Sequence, residues 1–315
     1  MTSLKDVANI VWKDCLGVKP TDKALIVSDS KDSEDPRFGI SRVLWDTGKN
    51  LCKDCALILM EKTGVHGREP SPNVAKTMLD FDIIIAPTEF SITHTKAVLD
   101  ASKNGSRIVT MPGITEEIFL RAVPINYRKM DIMMQKLRAN IKGNEFHVTT
   151  KKGTDLYLYR GRRRILNGNG IVKRGKIKNL PDGETGFAPL EGKSEGVLVV
   201  DLSSPFIGIV KKPFKVLIEK GLAVDCEEPK LWKAISSAEN GTNVAELGIG
   251  TNPKAEITGN ILEDEKVRGT AHVAFGTSKD MGGAVQTSVH LDNVFDKPNI
   301  EVDGKIVIKE GKFLF

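Results

Sequence analysis

Four short apolar runs alternate with helical segments over residues 1–145, and this alternation constrains the fold more than any other feature. The runs are ALIVSD, CALILM, DIIIAP and RIVTMPG, at Ala24–Asp29, Cys55–Met60, Asp82–Pro87 and Arg107–Gly113. Each run is of strand length and almost continuously apolar, which is typical of a strand buried on both faces of a parallel sheet. Residues 1–145 are therefore predicted to form a doubly wound α/β domain.

The helices of this predicted domain carry recognisable start and stop signals. Ser71 precedes Pro72 and is predicted to cap one helix, and Ser91 is predicted to cap another that closes at Gly105. His94 falls early in that second helix and is predicted to be a surface or packing residue. No G-x-G-x-x-G motif follows the first strand and no Walker loop is present, so neither dinucleotide nor nucleotide binding is predicted.

From residue 146 onward, short strand-like runs are separated by glycine turns. FHVTTKKGTDLYLY predicts two strands around Lys152-Gly153, and IEVDGKIVIK predicts a C-terminal hairpin whose two-residue turn is Asp303-Gly304. Residues 146–315 are therefore predicted to form a mainly antiparallel β (α+β) domain. The fold class predicted for the whole chain is α/β, with an N-terminal parallel-sheet domain followed by this second domain.

Composition and charge argue against several functional classes. No apolar run approaches the length of a membrane span, and the N-terminus has acidic residues and no cleavage motif, so a cytoplasmic location is expected. Net charge is 46 − 41 = +5. The basic stretch Arg160–Lys178 is predicted to be a solvated hairpin rim rather than a nucleic-acid surface, because no aromatic stacking platform accompanies it. Cys52 and Cys55 form a lone C-x-x-C and are predicted to be reduced structural thiols.

Two histidines in the last third of the chain, His272 and His290, each lie inside a short apolar run. Asp292 follows His290 at i+2, and on a strand these two side chains point to the same face. A polar pair on an apolar strand needs a partner. From the residues alone, that partner is either a metal ion or a hydrogen bond to backbone or a neighbouring strand.

Carboxylates near these histidines extend the candidate site. Glu184 lies in the turn-like segment LPDGETGFAP, and Glu246 ends the run NVAE. Glu263 and Glu265 belong to the acidic run LEDEK, which forms a surface turn or supplies a general base or a partner for a ligating imidazole. One metal on His272 and the H-x-D pair would make a two-His-one-carboxylate Fe(II) site, whereas two metals would hold an activated water between them.

The four segments LPDGETGFAP, AELGIGTNP, LEDEKVRGTAHVAFG and HLD resemble, in order and approximate spacing, the metal-binding segments of the M29 family of metalloaminopeptidases. The resemblance covers residues 179–315 and includes the aminopeptidase T and aminopeptidase S group. It implies a two-metal centre of Zn, Co, Mn or Mg. The implied ligands are Glu184, Glu246, His272, His290 and Asp292, with Glu265 or Glu263 as general base. It also implies a homodimer that releases N-terminal residues from short peptides, which is the leading prediction.

Two departures from the family pattern keep alternatives open. The family places a tyrosine ligand where this chain has Lys279, and the interval from His272 to His290 is shorter than in the family. Both departures also suit the M29-like dioxygenases that use a single Fe(II) to open dihydroxypyridine rings, so the metal count is one or two per chain. A non-catalytic binding protein, with Arg160–Lys178 as its contact surface, is the third hypothesis.

Overall fold

A computed structural model describes residues 2–315, and contacts group them into two compact units. One unit comprises the chain up to Tyr127 together with Gly170–Asp182, and the other comprises Arg128–Asn169 together with Gly183–Phe315. The division of the chain at residue 145 stays a prediction. Within residues 2–315, no helix is both long enough and apolar enough to cross a membrane.

The first unit contains a five-stranded parallel sheet in the order β2-β1-β3-β4-β8. Its strands are β1 Lys23–Ser28, β2 Asp54–Leu59, β3 Ile83–Ala86, β4 Arg107–Thr110 and β8 Ile177–Asn179. The first four correspond to the four apolar runs of the sequence, and the predicted parallel α/β architecture is confirmed. Their buried side chains, such as Leu25, Ile84 and Ile108, form one hydrophobic cluster with the helices that flank the sheet.

The helices of the chain are α1 Leu4–Ile10, α2 Pro36–Gly48, α3 Pro72–Met78, α4 Lys96–Lys103, α5 Glu116–Ala122, α6 Tyr127–Asn140, α7 Pro229–Ser236 and α8 Ile261–Asp264. Helix α1 continues into a π-helical turn, Val11–Cys15. Ser71 caps α3 as predicted. The prediction that Ser91 caps α4 is wrong: the Thr95 hydroxyl accepts the bond from the Val98 amide, so α4 begins later. His94 consequently lies in the turn before α4, and its side chain is exposed.

A buried ion pair lies where β1 leads into α2. Asp29 accepts hydrogen bonds from the Glu89 amide at 3.0 and 2.9 Å, and its Oδ1 lies 3.0 Å from Nη1 of Arg37. Both side chains are almost fully excluded from solvent. An unpaired carboxylate in this position would be costly, so Arg37 stabilises the end of β1.

The second unit contains two antiparallel sheets, which confirms the predicted character of the C-terminal part. The eight-stranded sheet has the order β14-β13-β10-β6-β5-β18-β19-β20. Its strands are β5 Glu145–Thr149, β6 Asp155–Tyr159, β10 Glu195–Val200, β13 Phe214–Glu219, β14 Leu222–Cys226, β18 Asn299–Val302, β19 Lys305–Lys309 and β20 Lys312–Phe313. Strands β18 and β19 form the predicted hairpin, with Asp303-Gly304 as its turn.

The seven-stranded sheet has the order β12-β11-β17-β16-β15-β9-β7. Its strands are β7 Leu166–Gly168, β9 Glu184–Phe187, β11 Ser203–Ser204, β12 Gly208–Ile209, β15 Val244–Gly250, β16 Thr270–Gly276 and β17 His290–Asp296. One hydrophobic cluster takes side chains from both antiparallel sheets, including Phe146 and Phe187, whose rings are 4.5 Å apart. The two sheets therefore pack face to face over a shared core.

The basic stretch Arg160–Lys178 is not a hairpin, which corrects the prediction. Strand β7 lies within it and β8 begins within it, but the two strands belong to different sheets. Its first arginines are also only partly solvated, because Arg160 donates from Nε to the Gly143 carbonyl at 2.8 Å and Arg163 pairs with Glu191. These guanidinium groups satisfy carbonyl and carboxylate acceptors of the second unit.

Candidate metal centre

One face of the seven-stranded sheet gathers the five residues predicted as metal ligands. Glu184 opens β9, Glu246 lies in β15, His272 lies in β16, and both His290 and Asp292 lie in β17. The antiparallel register sets His272 opposite Gly248, and sets both Glu246 and Asp292 opposite Ala274. Since alternate residues of a strand share a face, these pairings place all five side chains on one side of the sheet.

The opposite face of the same strands is apolar. Phe187, Leu247, Ile249, Val273 and Phe275 alternate with the polar residues and lie in the shared core. The alternation fixes the strand register, because a slip by one residue would bury the carboxylates in the core.

A β-bulge directs Glu246 towards the site. Val244 pairs with Phe275 and Glu246 pairs with the next residue, Ala274, so Ala245 is the extra residue of the bulge. In a regular strand Val244 and Glu246 would share a face, whereas the bulge leaves Val244 in the core and turns Glu246 to the polar side. The expectation that Glu246 ends its strand is corrected: β15 continues to Gly250. Glu184, expected in a turn, is the first residue of β9.

Glycines make room for the polar side chains to lie across the sheet. A Cβ at Gly248 would be 2.0 Å from Nε2 of His272, and a Cβ at Gly186 would be 2.7 Å from Oε1 of Glu246. Both distances are below any real Cβ contact. The His272 ring therefore occupies the space that a side chain at Gly248 would fill.

His272 is fully buried and faces three carboxylates. Its Nε2 lies 3.5 Å from Oε2 of Glu184, 3.6 Å from Oε1 of Glu246 and 3.9 Å from Oδ1 of Asp292. Nε2 of His272 and Oδ1 of Asp292 have no hydrogen-bond partner within residues 2–315. Buried polar atoms normally have a partner. Donor atoms that converge but stay too far apart to bond one another are what a bound cation requires, so these residues fit a divalent metal.

His290 stands beside the same carboxylates with its ring orientation fixed. Its Nδ1 lies 2.8 Å from the Thr277 carbonyl, which can only accept, so Nδ1 carries a proton. Its Nε2 lies 3.2 Å from Oε2 of Glu246 and 3.4 Å from Oδ1 of Asp292. An imidazole held through Nδ1 presents Nε2 as the available donor, which is the common arrangement of metal-ligating histidines.

The charges of the site perturb the pKa values of its members. Burial disfavours the charged form of His272, but the carboxylates of Glu246, Asp292 and Glu184 outweigh it and raise the pKa of His272 to about 9. Burial likewise opposes ionisation of Glu246, yet His272 and His290 lower the pKa of Glu246 to about 2. The imidazoles and carboxylates thus stabilise one another as ions.

Lys266 belongs to this site, although the sequence analysis did not predict it as a site residue. It is buried, and its Nζ lies 2.6 Å from Oε1 of Glu184 and also contacts Oε1 of Glu265. Burial raises the pKa of the Glu265 carboxyl well above its usual range, in spite of the adjacent ammonium. A single sequence does not show that a lysine is buried. The one indication that Lys266 belongs to the site is its position in LEDEK, directly after the predicted site residue Glu265.

The two candidate general bases are placed differently. Glu265 lies with Glu184 and His272, whereas Glu263 bonds the loop before α8 by accepting from the Glu256 amide at 3.1 Å. Lys279, at the position where the M29 metalloaminopeptidases have a tyrosine ligand, is the first residue of a short 3₁₀ turn and is exposed. The structure thus brings Glu265 to the histidines and holds Glu263 in the loop.

Two groups of three donors could each hold a metal ion within residues 2–315. One is Glu184, Glu265 and His272, and the other is Glu246, His272 and Asp292. The ligand atoms of each group lie within 4.8 Å of one another. The two groups overlap, because both include His272.

The antiparallel sheet and its converging donors define a candidate metal centre in a mixed α/β protein. More particularly, the chain belongs to the NicX family, described as 2,5-dihydroxypyridine 5,6-dioxygenase, whose model matches residues 53–315. No curated protein matches the sequence.

Two solved structures share the fold. The 2,5-dihydroxypyridine dioxygenase from Pseudomonas putida KT2440 is 19% identical, with a TM-score of 0.81 over 99% of this chain and 96% of that one. Wild-type AmpT from Thermus thermophilus is 14% identical, with a TM-score of 0.74 over 99% of both chains. At these identities the likeness shows the fold, and it does not separate the two chemistries.

Proposed function

We propose that this protein is a dioxygenase that uses one Fe(II) ion to open the ring of a dihydroxypyridine or a closely related hydroxylated aromatic compound. The observation that carries the proposal is the pair of buried donor atoms without a hydrogen-bond partner, Nε2 of His272 and Oδ1 of Asp292, next to His290. Membership of the NicX family supports the choice of chemistry. Two imidazoles and one carboxylate are the donor set of non-haem Fe(II) oxygenases.

In this proposal His272, His290 and Asp292 would hold the metal. Fe(II) bound there would supply the redox chemistry that activates dioxygen. The chain's own groups orient the donors: the Thr277 carbonyl holds Nδ1 of His290, and the absence of a side chain at Gly248 leaves room for the His272 ring. In the overall reaction one ring carbon–carbon bond breaks and both oxygen atoms of O₂ enter the product, so no external reductant is needed.

Glu265 is the residue that we expect to hold a proton beside the centre. Its carboxyl is buried, and burial raises its pKa well above the usual range and so favours the protonated form. It lies in the same donor group as Glu184 and His272, close to the metal position. A carboxylic acid in that state can exchange a proton with a substrate hydroxyl.

The aminopeptidase hypothesis has weaker support. The matching family model is that of a dioxygenase, whereas the likeness to AmpT rests on the fold alone. Two-metal hydrolysis would also need Glu184 as a ligand and Glu265 as a general base, and the Lys266 ammonium already contacts both.

Oxygen consumption tests the proposal directly. The Fe(II)-loaded protein should consume about one O₂ for each 2,5-dihydroxypyridine that loses its ring absorbance. His290→Ala and Asp292→Asn should each lose metal, and their rates should fall by at least about 100-fold. His147→Ala is the matched control, because His147 pairs with Asp155 on the surface of the other sheet and should leave the rate unchanged.

The competing outcomes are distinct. Absence of oxygen uptake across a panel of dihydroxypyridines and catechols would refute the dioxygenase proposal. Release of the N-terminal residue from short peptides by the Zn- or Mn-loaded protein would restore the aminopeptidase hypothesis. Glu246→Gln should be assayed beside Asp292→Asn, because it shows which of the two carboxylates near His290 is required.

A further inference from the structure

Lys266 is a long cationic side chain held almost entirely inside the second unit. Its exposed fraction is 1%, and it ranks among the largest fully buried side chains of the described residues. Its backbone is fixed as well, since the Lys266 amide donates to the Glu263 carbonyl at 2.9 Å and its carbonyl accepts from the Asn252 amide at 2.8 Å. Burying an ammonium is costly unless anions surround it, so its position demands charged partners.

Those partners belong to the candidate metal centre. Nζ of Lys266 lies 2.6 Å from Oε1 of Glu184 and contacts Oε1 of Glu265. The other oxygen of Glu184, Oε2, lies 3.5 Å from Nε2 of His272. Lys266 therefore engages two of the three residues in the donor group formed by Glu184, Glu265 and His272.

The second donor group is arranged differently. Glu246, His272 and Asp292 converge without an ammonium among them, and Oδ1 of Asp292 and both ring nitrogens of His272 are buried without a hydrogen-bond partner. The Lys266 ammonium thus contacts two donors of one group, whereas the donor atoms of the other group converge without it.

We propose that Lys266 takes the place of a second metal ion and restricts the centre to a single divalent metal. This inference rests on the proposed function, because it requires His272 and Asp292 to bind a metal. A divalent ion bound by Glu184 and Glu265 would have to share these two side chains with the Lys266 ammonium, and like charges held close together repel strongly. The ammonium is the counter-charge of Glu184 and also contacts Glu265, but it offers no open coordination position and no redox activity.

Lys279 offers a competing explanation for a single metal, because it occupies the position at which the M29 metalloaminopeptidases have a tyrosine ligand. The structure separates the two explanations by location. Lys279 is exposed, whereas Lys266 is buried on two donors of the centre. Removing the charge of Lys279 should therefore leave the metal count unchanged, and removing that of Lys266 should raise it.

The experiment counts Mn(II) ions per chain in the wild type, Lys266→Gln, Lys266→Met and the matched control Lys279→Gln. Metal-free proteins are titrated with Mn(II) by calorimetry, and elemental analysis after dialysis gives an independent count. Circular dichroism checks that each variant folds. The wild type and Lys279→Gln should bind one Mn(II), and the Lys266 variants should bind two. The pair of ions in the variants should give the spin-coupled electron paramagnetic resonance spectrum of two neighbouring Mn(II) ions.

Two Mn(II) ions in the wild type, or one in a folded Lys266 variant, would overturn the inference. If neither variant folds, a crystal structure of the Mn(II)-loaded wild type decides. One anomalous peak beside His272 with Nζ of Lys266 still on Glu184 supports the inference, and a second peak between Glu184 and Glu265 refutes it. One metal without oxygen uptake would refute only the dioxygenase proposal, whereas no metal at all would refute both.

Discussion

Gly248→Ala tests the geometry of the centre with a single added methyl group. An ideal Cβ at this position would lie 2.0 Å from Nε2, 2.2 Å from Cε1 and 2.9 Å from Cδ2 of His272. Ordinary contact with a Cβ begins at 3.4 Å, so the His272 ring must move by about 3.4 − 2.0 = 1.4 Å. The ring cannot make this movement within the sheet face, because Glu184, Glu246 and Asp292 already face its Nε2.

The displacement is large compared with what a metal site tolerates. Ligand distances in metal sites hold to about 0.2 Å, so a shift of this size removes His272 from the ligand set. We expect Gly248→Ala to weaken Mn(II) binding by at least about 100-fold, more than the loss of an outer hydrogen-bond partner costs. Overpacking a filled site also costs about 1–3 kcal/mol, which lowers the Tm by several degrees.

Calorimetric titration with Mn(II) and thermal unfolding of the metal-free protein measure the two effects. Gly39→Ala is the matched control, because Gly39 lies within α2 and its added Cβ would meet only Cδ1 of Leu4 at 4.0 Å. The same substitution there should stabilise the protein by about 0.5–1 kcal/mol and leave Mn(II) binding unchanged. A Gly248→Ala protein that binds Mn(II) within twofold of the wild type would refute the placement of the His272 ring across Gly248.

Two further predictions follow from charged groups. Because the carboxylates raise the pKa of metal-free His272 to about 9, a metal must displace a proton below that pH. The Mn(II) affinity should therefore weaken by at least about tenfold per pH unit between pH 8.5 and 6.5, and a flat profile by calorimetry would contradict this. Arg37→Met leaves Asp29 buried without its cation and should cost about 3–5 kcal/mol in the free energy of unfolding. Arg42→Met, at an exposed position of the same helix, should change it by less than about 0.5 kcal/mol, and equal Tm values for the two variants would contradict the prediction.

The parts of the fold that the sequence predicted correctly depend on local signals. The apolar runs that became β1 to β4 are continuous, and Asp303-Gly304 is a two-residue hairpin turn whose conformation is local. The shared face of His290 and Asp292 follows from the two-residue period of a strand alone. In each case a few neighbouring residues decide the structure.

The failures depend on contacts that are distant in sequence or on a choice between similar neighbours. Ser91 and Thr95 are both acceptable helix caps, and only the position of the turn before α4 selects Thr95. Strand β8 has three residues and joins the parallel sheet by pairing with β4, a partner about 70 residues earlier that its own sequence does not indicate. The bulge that turns Glu246 to the polar face depends in the same way on its register with β16.

The candidate site illustrates why a scaffold alone does not determine its chemistry. Four antiparallel strands bring His272, Glu246, Asp292 and Glu184 together, and this arrangement could serve one metal or two. What distinguishes the two cases is the occupant of the position between Glu184 and Glu265, which here is the Lys266 ammonium. One buried cation, the Lys266 ammonium on the short segment after α8, therefore limits this sheet to one-metal chemistry. If the wild type binds one Mn(II) and the Lys266 variants bind two, the charge of the residue at position 266 distinguishes one-metal from two-metal chemistry on this scaffold.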